Sequence, residues 1–97
     1  MESLEDRGIP KEFSLNNNYP NPFNPSTMID YSLPVDAKVT IEVYNLLGQK
    51  VATLLNGTER AGMHTVSWNA GKCSSGMYFA RFESGGKQLM KKMLLVK

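Results

Sequence analysis

Two side chains in this 97-residue sequence are reactive enough for nucleophilic or acid–base work near neutral pH, His64 and Cys73, and each is the only one of its kind. A histidine becomes a general base when a nucleophile and an orienting carboxylate share its surroundings. His64 lies between Met63 and Thr65 in an alternating run, with no serine or aspartate at a suggestive spacing, so a structural histidine is expected. A single cysteine cannot form an intrachain disulfide, and one cysteine with one histidine supports neither a multi-thiolate nor a two-histidine metal site. As a nucleophile Cys73 would need an activating neighbourhood that the sequence does not show, and a small core-facing residue is the simpler reading. The asparagines between Asn16 and Asn24 could offer carbonyls to calcium, yet that stretch has no carboxylate, and Asp30 and Asp36 lie beyond it. Trp68 with Tyr44, Tyr78 and Phe79 could stack on a sugar, but alternation places Trp68 beside Val66 and so in a core. Asn56-Gly57-Thr58 fits a glycosylation acceptor, and a tight Asn-Gly turn explains the same residues. No catalytic group, metal or cofactor is therefore expected.

Charge and composition narrow the field. The formal net charge is +2, eleven Lys and Arg against nine Asp and Glu, too little for the electrostatic footprint of a nucleic-acid binder. Eight glycines and five prolines must sit in turns. The length leaves room for one domain, whose core hides roughly 60% of the unfolded surface. No apolar run approaches the ~18 residues of a membrane helix, so no membrane insertion is expected. The acidic opening, Met1-Glu2-Ser3-Leu4-Glu5-Asp6, lacks the apolar stretch of a secretory signal.

Short strands must position whatever function exists. Residues 1–12 carry mixed charge and no period and read as a linker or tail; residues 13–97 read as one folded unit. In Asn16–Thr27 three prolines and five asparagines forbid a helix and set an irregular extended path. Tyr19 and Phe23 are its only large apolar side chains, and their burial would pin the loop. From Thr27 onward, period-two runs alternate with turn signals about every ten residues. Ile29, Tyr31 and Leu33 oppose Met28, Asp30 and Ser32; Val39, Ile41 and Val43 oppose Thr40, Glu42 and Tyr44. Gly48 turns the chain into Gln49–Leu55, which should close at the Asn56-Gly57 turn. His64, Val66 and Trp68 share a face after Gly62, and Tyr78, Ala80 and Phe82 oppose Phe79, Arg81 and Glu83. In Lys87–Lys97 the apolar residues Leu89, Met90, Met93 and Leu94 fit a helical stripe, and every charge is a lysine, as in a basic amphipathic helix. The shortness of the run, its missing N-cap box and the preceding Ser84-Gly85-Gly86 turn favour a hairpin strand. With a short strand at Phe13–Leu15 the total is about seven, which predicts an all-β, immunoglobulin-like antiparallel β-sandwich.

Five blocks have a familiar order and spacing: Tyr19-Pro20-Asn21-Pro22-Phe23-Asn24-Pro25-Ser26-Thr27, Tyr44–Val51, Gly62–Asn69, Ser75–Phe79, and Lys91-Lys92-Met93-Leu94-Leu95-Val96-Lys97. Together they resemble the type A C-terminal sorting domain of the type IX (Por) secretion system. The stretch also resembles the immunoglobulin-like domain of flagellar hook-capping proteins. The resemblance covers residues 13–97 and implies a non-catalytic, fibronectin type III-like module at the end of a larger secreted protein, whose cargo domain lies upstream in the same polypeptide. It implies an outer-membrane translocon and a sortase-like peptidase as partners, and a cargo that crosses the periplasm and outer membrane to be secreted or held at the cell surface. It places the recognition signal on Lys91, Lys92, Met93, Leu94, Leu95, Val96 and Lys97, a terminus to which the end of this sequence is suited, and leaves Tyr19–Pro25 as a structural loop. A terminal edge strand would offer unpaired backbone groups and lysines to a receptor, although Lys91 and Lys92 also suit a merely solvated edge. The alternative is an ancillary immunoglobulin-like spacer or carbohydrate-binding module of a secreted hydrolase.

Overall fold

The computed structural model describes residues 9–97, so most of the expected linker or tail over 1–12 lies outside the described residues. The strands are β1 (Ser14–Leu15), β2 (Ser26–Leu33), β3 (Ala37–Asn45), β4 (Lys50–Glu59), β5 (Gly62–Asn69), β6 (Gly76–Ser84) and β7 (Lys87–Leu95). They form two sheets, ordered β1-β2-β5 and β4-β3-β6-β7, with every pairing antiparallel. In a constant-type immunoglobulin domain the fourth strand belongs to the sheet of the first two. Here β4 pairs with β3 instead, which gives the fibronectin type III-like form of the sandwich.

Alternation explains the two layers. The inward rows are Ile29, Tyr31 and Leu33 of β2, Val39, Ile41 and Val43 of β3, Tyr78, Ala80 and Phe82 of β6, and Met93 and Leu95 of β7, all buried with Trp68 of β5. Each large side chain so removed from water contributes roughly 1.5–3 kcal/mol, and only a second sheet can cover such a row.

Two local expectations fail for tertiary reasons. Asn56-Gly57 is not a turn: β4 runs on through Glu59, Thr40 pairs with Asn56, and Val39 pairs with Gly57. Pairing along the nine-residue β3 overrides the dipeptide's local preference, and the reversal falls at Arg60-Ala61, where Ala61 N–H donates to Asp36 Oδ1 at 2.8 Å. Ser32, expected on the outer face, is buried under the chain entering β1; its hydroxyl donates to the Glu12 carbonyl at 3.1 Å and pairs with the Ser14 hydroxyl. The last run is the expected hairpin strand despite its helical stripe. β7 sends Leu89, Met93 and Leu95 inward and Met90 and Leu94 to the other side, and it ends at Leu95.

Tyr31 gives this core a pH signature. Its ring stacks on His64 with centroids 5.1 Å apart, and burial, with the Glu59 charge second, pushes its hydroxyl up to about 12. An unfolded tyrosine releases its proton near 10. Stability conferred by the protonated ring is therefore intact below about pH 10 and is lost as pH rises toward about 12. Urea titrations across that window should show a smaller loss for Tyr31→Phe than for the parent chain.

Candidate functional site

The last strand is delivered by a tight hairpin. Gly85 takes φ +57°, and a Cβ there would come within 2.5 Å of the Phe13 ring, so the turn needs glycine on both counts. The β6–β7 register then runs unbroken from Ser84↔Lys87 to Gly76↔Leu95. Residues of an antiparallel strand direct their backbone groups alternately to one neighbour and to the other. On β7, which borders its sheet, Leu94 points away from β6, and by alternation so do Lys92, Met90 and Gln88.

The Asn/Pro-rich loop grips the end of that outer edge. Asn21 Oδ1 accepts from Leu94 N–H at 3.1 Å, Phe23 N–H donates to the Leu94 carbonyl at 2.9 Å, and Val96 N–H donates to the Phe23 carbonyl at 3.0 Å. Phe23 and Leu95 thus form a one-residue parallel bridge. The grip holds because the loop is fixed from beneath. The Phe23 ring, 2% exposed, tilts against Trp68 at 5.6 Å, and Trp68 meets Tyr78 edge-on at 5.3 Å. Asn18 and Thr27, both buried, close the loop's base: Asn18 Nδ2 donates to Thr27 Oγ1 at 2.9 Å, and the threonine hydroxyl donates to the Pro20 carbonyl at 3.0 Å. The Pro25 carbonyl takes Ala70 N–H at 2.9 Å. The peptide bonds preceding Pro20, Pro22 and Pro25 are cis.

Thr27→Val keeps the shape of the side chain and leaves the Pro20 carbonyl and Asn18 amide without this partner. We expect a loss of about 1–3 kcal/mol by chemical denaturation. A loss below about 0.5 kcal/mol, the scale of a surface substitution, would show that the buried network does not hold the loop.

The sequence-derived residues fare unequally. Tyr19 was expected to anchor the loop but is 45% exposed; its hydroxyl donates to Asp30 Oδ1 at 3.0 Å, and Phe23 anchors alone. Asn18 and Thr27 escaped notice because a polar pair nine residues apart leaves no periodic trace. Leu94 and Val96 were expected to present free backbone; the loop occupies both. Lys97 is tied by its backbone N–H to Ser75 Oγ at 3.0 Å and by its ammonium to the Gly71 carbonyl at 2.7 Å. Lys91 and Lys92 stand further back on β7 and form no ion pair among the described residues.

Elsewhere the reactive groups are occupied structurally. The His64 ring shares a hydrogen bond with the Arg60 carbonyl at 2.6 Å and lies 3.7 Å from Glu59. Cys73 is half-buried against the core. The four aromatics that could form a sugar platform are divided, with Trp68 and Tyr78 buried. Tyr44 and Phe79 instead line a shallow groove of about 500 Å³ on the outer face with Arg81 and Met90. There the Tyr44 hydroxyl donates to Glu42 at 2.8 Å, which with Lys50 beside it lowers the Glu42 carboxyl from its usual range. Among the described residues no three His, Cys, Asp or Glu side chains converge as a metal site would require.

The fold is a fibronectin type III-like sandwich whose edge strand β7 is clasped by the Asn/Pro-rich loop. Residues 17–97 match the family described as the secretion system C-terminal sorting domain, and the chain belongs to that family. It is a sorting signal for type IX secretion, and the protein bearing it is exported to the outer membrane, the cell surface or the medium. Such domains are in general addresses rather than catalysts, and they engage the type IX machinery. No curated protein matches the chain.

Proposed function

We propose that the address resides in Lys91–Lys97 and that the Tyr19–Pro25 loop acts as the clasp that holds it in one geometry. A receptor serving many cargoes needs a feature that is the same on all of them, and a clasped strand end provides one without ordering cost at the moment of binding. The outer-membrane translocon reads the outward row Lys92, Leu94 and Val96, and a sortase-like peptidase acts after passage on the junction with the upstream cargo. The chain itself contributes no catalysis.

The observation that carries this reading is the set of hydrogen bonds from Asn21 and Phe23 to Leu94 and Val96. It is tested by fusing a reporter ahead of the whole chain in a bacterium with the type IX pathway. Lys92, Leu94 and Val96 are half-buried or exposed, so joint replacement by alanine should leave the melting temperature nearly unchanged while the reporter stays in the periplasm. Normal export of that folded triple variant would refute the assignment.

A further inference from the structure

Beyond the clasp, the first part of β7 is an open edge. The outward backbone groups of Gln88, Met90 and Lys92 have no partner among the described residues, and Met90 is 58% exposed. Strand β7, Lys87–Leu95, carries three lysines and no carboxylate, and none of those lysines is in an ion pair among the described residues. The other edge strands lack this combination, since Lys50 of β4 is paired with Glu42 and β5 has no lysine. An unpaired edge is a template for an added strand, and the charges beside it select the strand.

We infer that Gln88–Lys92 is a docking edge for an extended, acidic polypeptide strand supplied by the secretion machinery. This rests on the sorting reading above and goes further in naming the partner's chemistry. Cross-strand neighbours interact directly. The occupant therefore carries a carboxylate facing Lys92 and an apolar residue facing Met90, two positions apart. The loop already sets the precedent, since Phe23 pairs with the same edge one step beyond, at Leu95. A second copy of this chain is disfavoured as occupant because it would bring lysines to lysines along the seam.

The test uses the full chain and two synthetic peptides of about eight residues: a Glu-Val peptide repeating Glu-Thr-Val-Thr, in which Glu and Val alternate along one face, and a Lys-Val peptide repeating Lys-Thr-Val-Thr. The Glu-Val peptide should bind, slow hydrogen exchange at the Met90 and Lys92 amides, and weaken as salt rises; the Lys-Val peptide should bind about tenfold more weakly or worse. Met90→Pro removes an N–H that the sandwich does not use, so binding should vanish while the fold persists. Should that variant unfold, the joint change Lys87→Glu, Lys91→Glu and Lys92→Glu serves instead and should reverse the peptide preference. The inference is overturned if neither peptide binds, leaving the lysines as guards against edge pairing, or if protection maps to β4 or β5. It is equally overturned if Gln88–Lys92 is protected by self-association alone. Peptide binding is read without export, so its failure leaves the address on Lys91–Lys97 standing, and an export defect unrelated to that segment leaves the docking edge standing.

Discussion

Phe23→Ala should lower the free energy of unfolding by about 3–5 kcal/mol, among the largest costs a single truncation inflicts on this sandwich. The ring is buried, and it is the only large apolar side chain through which the loop reaches the core. Its removal leaves a cavity beside Trp68 and also loosens the backbone that bonds to Leu94 and Val96. Hydrogen exchange should accordingly accelerate first at the Leu94 and Val96 amides, ahead of the β2–β5 amides. Tyr19→Ala, at an exposed ring in the same loop, should cost far less, and equal costs at the two positions would mean that the loop is not hung on Phe23.

Trp68→Ala should also cost about 3–5 kcal/mol, because the indole fills the space between Phe23 and Tyr78. The two truncations share one cavity, so the double variant should lose less than the separate losses added together, with an aromatic coupling of about 0.5–1.5 kcal/mol. Denaturant midpoints of the four chains in this cycle measure it. Additive losses would place the two rings in independent environments, and a Trp68 effect no larger than a surface substitution would invert the face assigned to β5.

What the sequence displayed was whatever repeats with period two. Val39, Ile41 and Val43, or Tyr78, Ala80 and Phe82, alternate so cleanly that the strands, their faces and the two-layer architecture follow from burial alone. Asn56-Gly57 misled because a local turn preference is worth less than continued pairing with β3. Lys87–Lys97 was ambiguous because an edge strand carries apolar residues on both sides: Leu89, Met93 and Leu95 toward the core, Met90 and Leu94 away from it. The meeting of the two candidate segments was invisible. Asn21 Oδ1 reaches an amide 73 residues away, and no spacing rule encodes such a contact. Of the loop's two rings the sequence offered no means of choosing between Phe23 and Tyr19, since only the tertiary position of Trp68 and Asp30 separates them.

Site-specific photo-crosslinking in exporting cells examines the clasped-address reading most directly. A photoreactive residue at position 94, on the outer side of β7, should join the chain to an outer-membrane component of the type IX machinery while cargo is in transit. The same residue at position 63, exposed on β5 of the opposite sheet, should not. An adduct from position 63 with none from position 94, in chains that still fold and export, would contradict it.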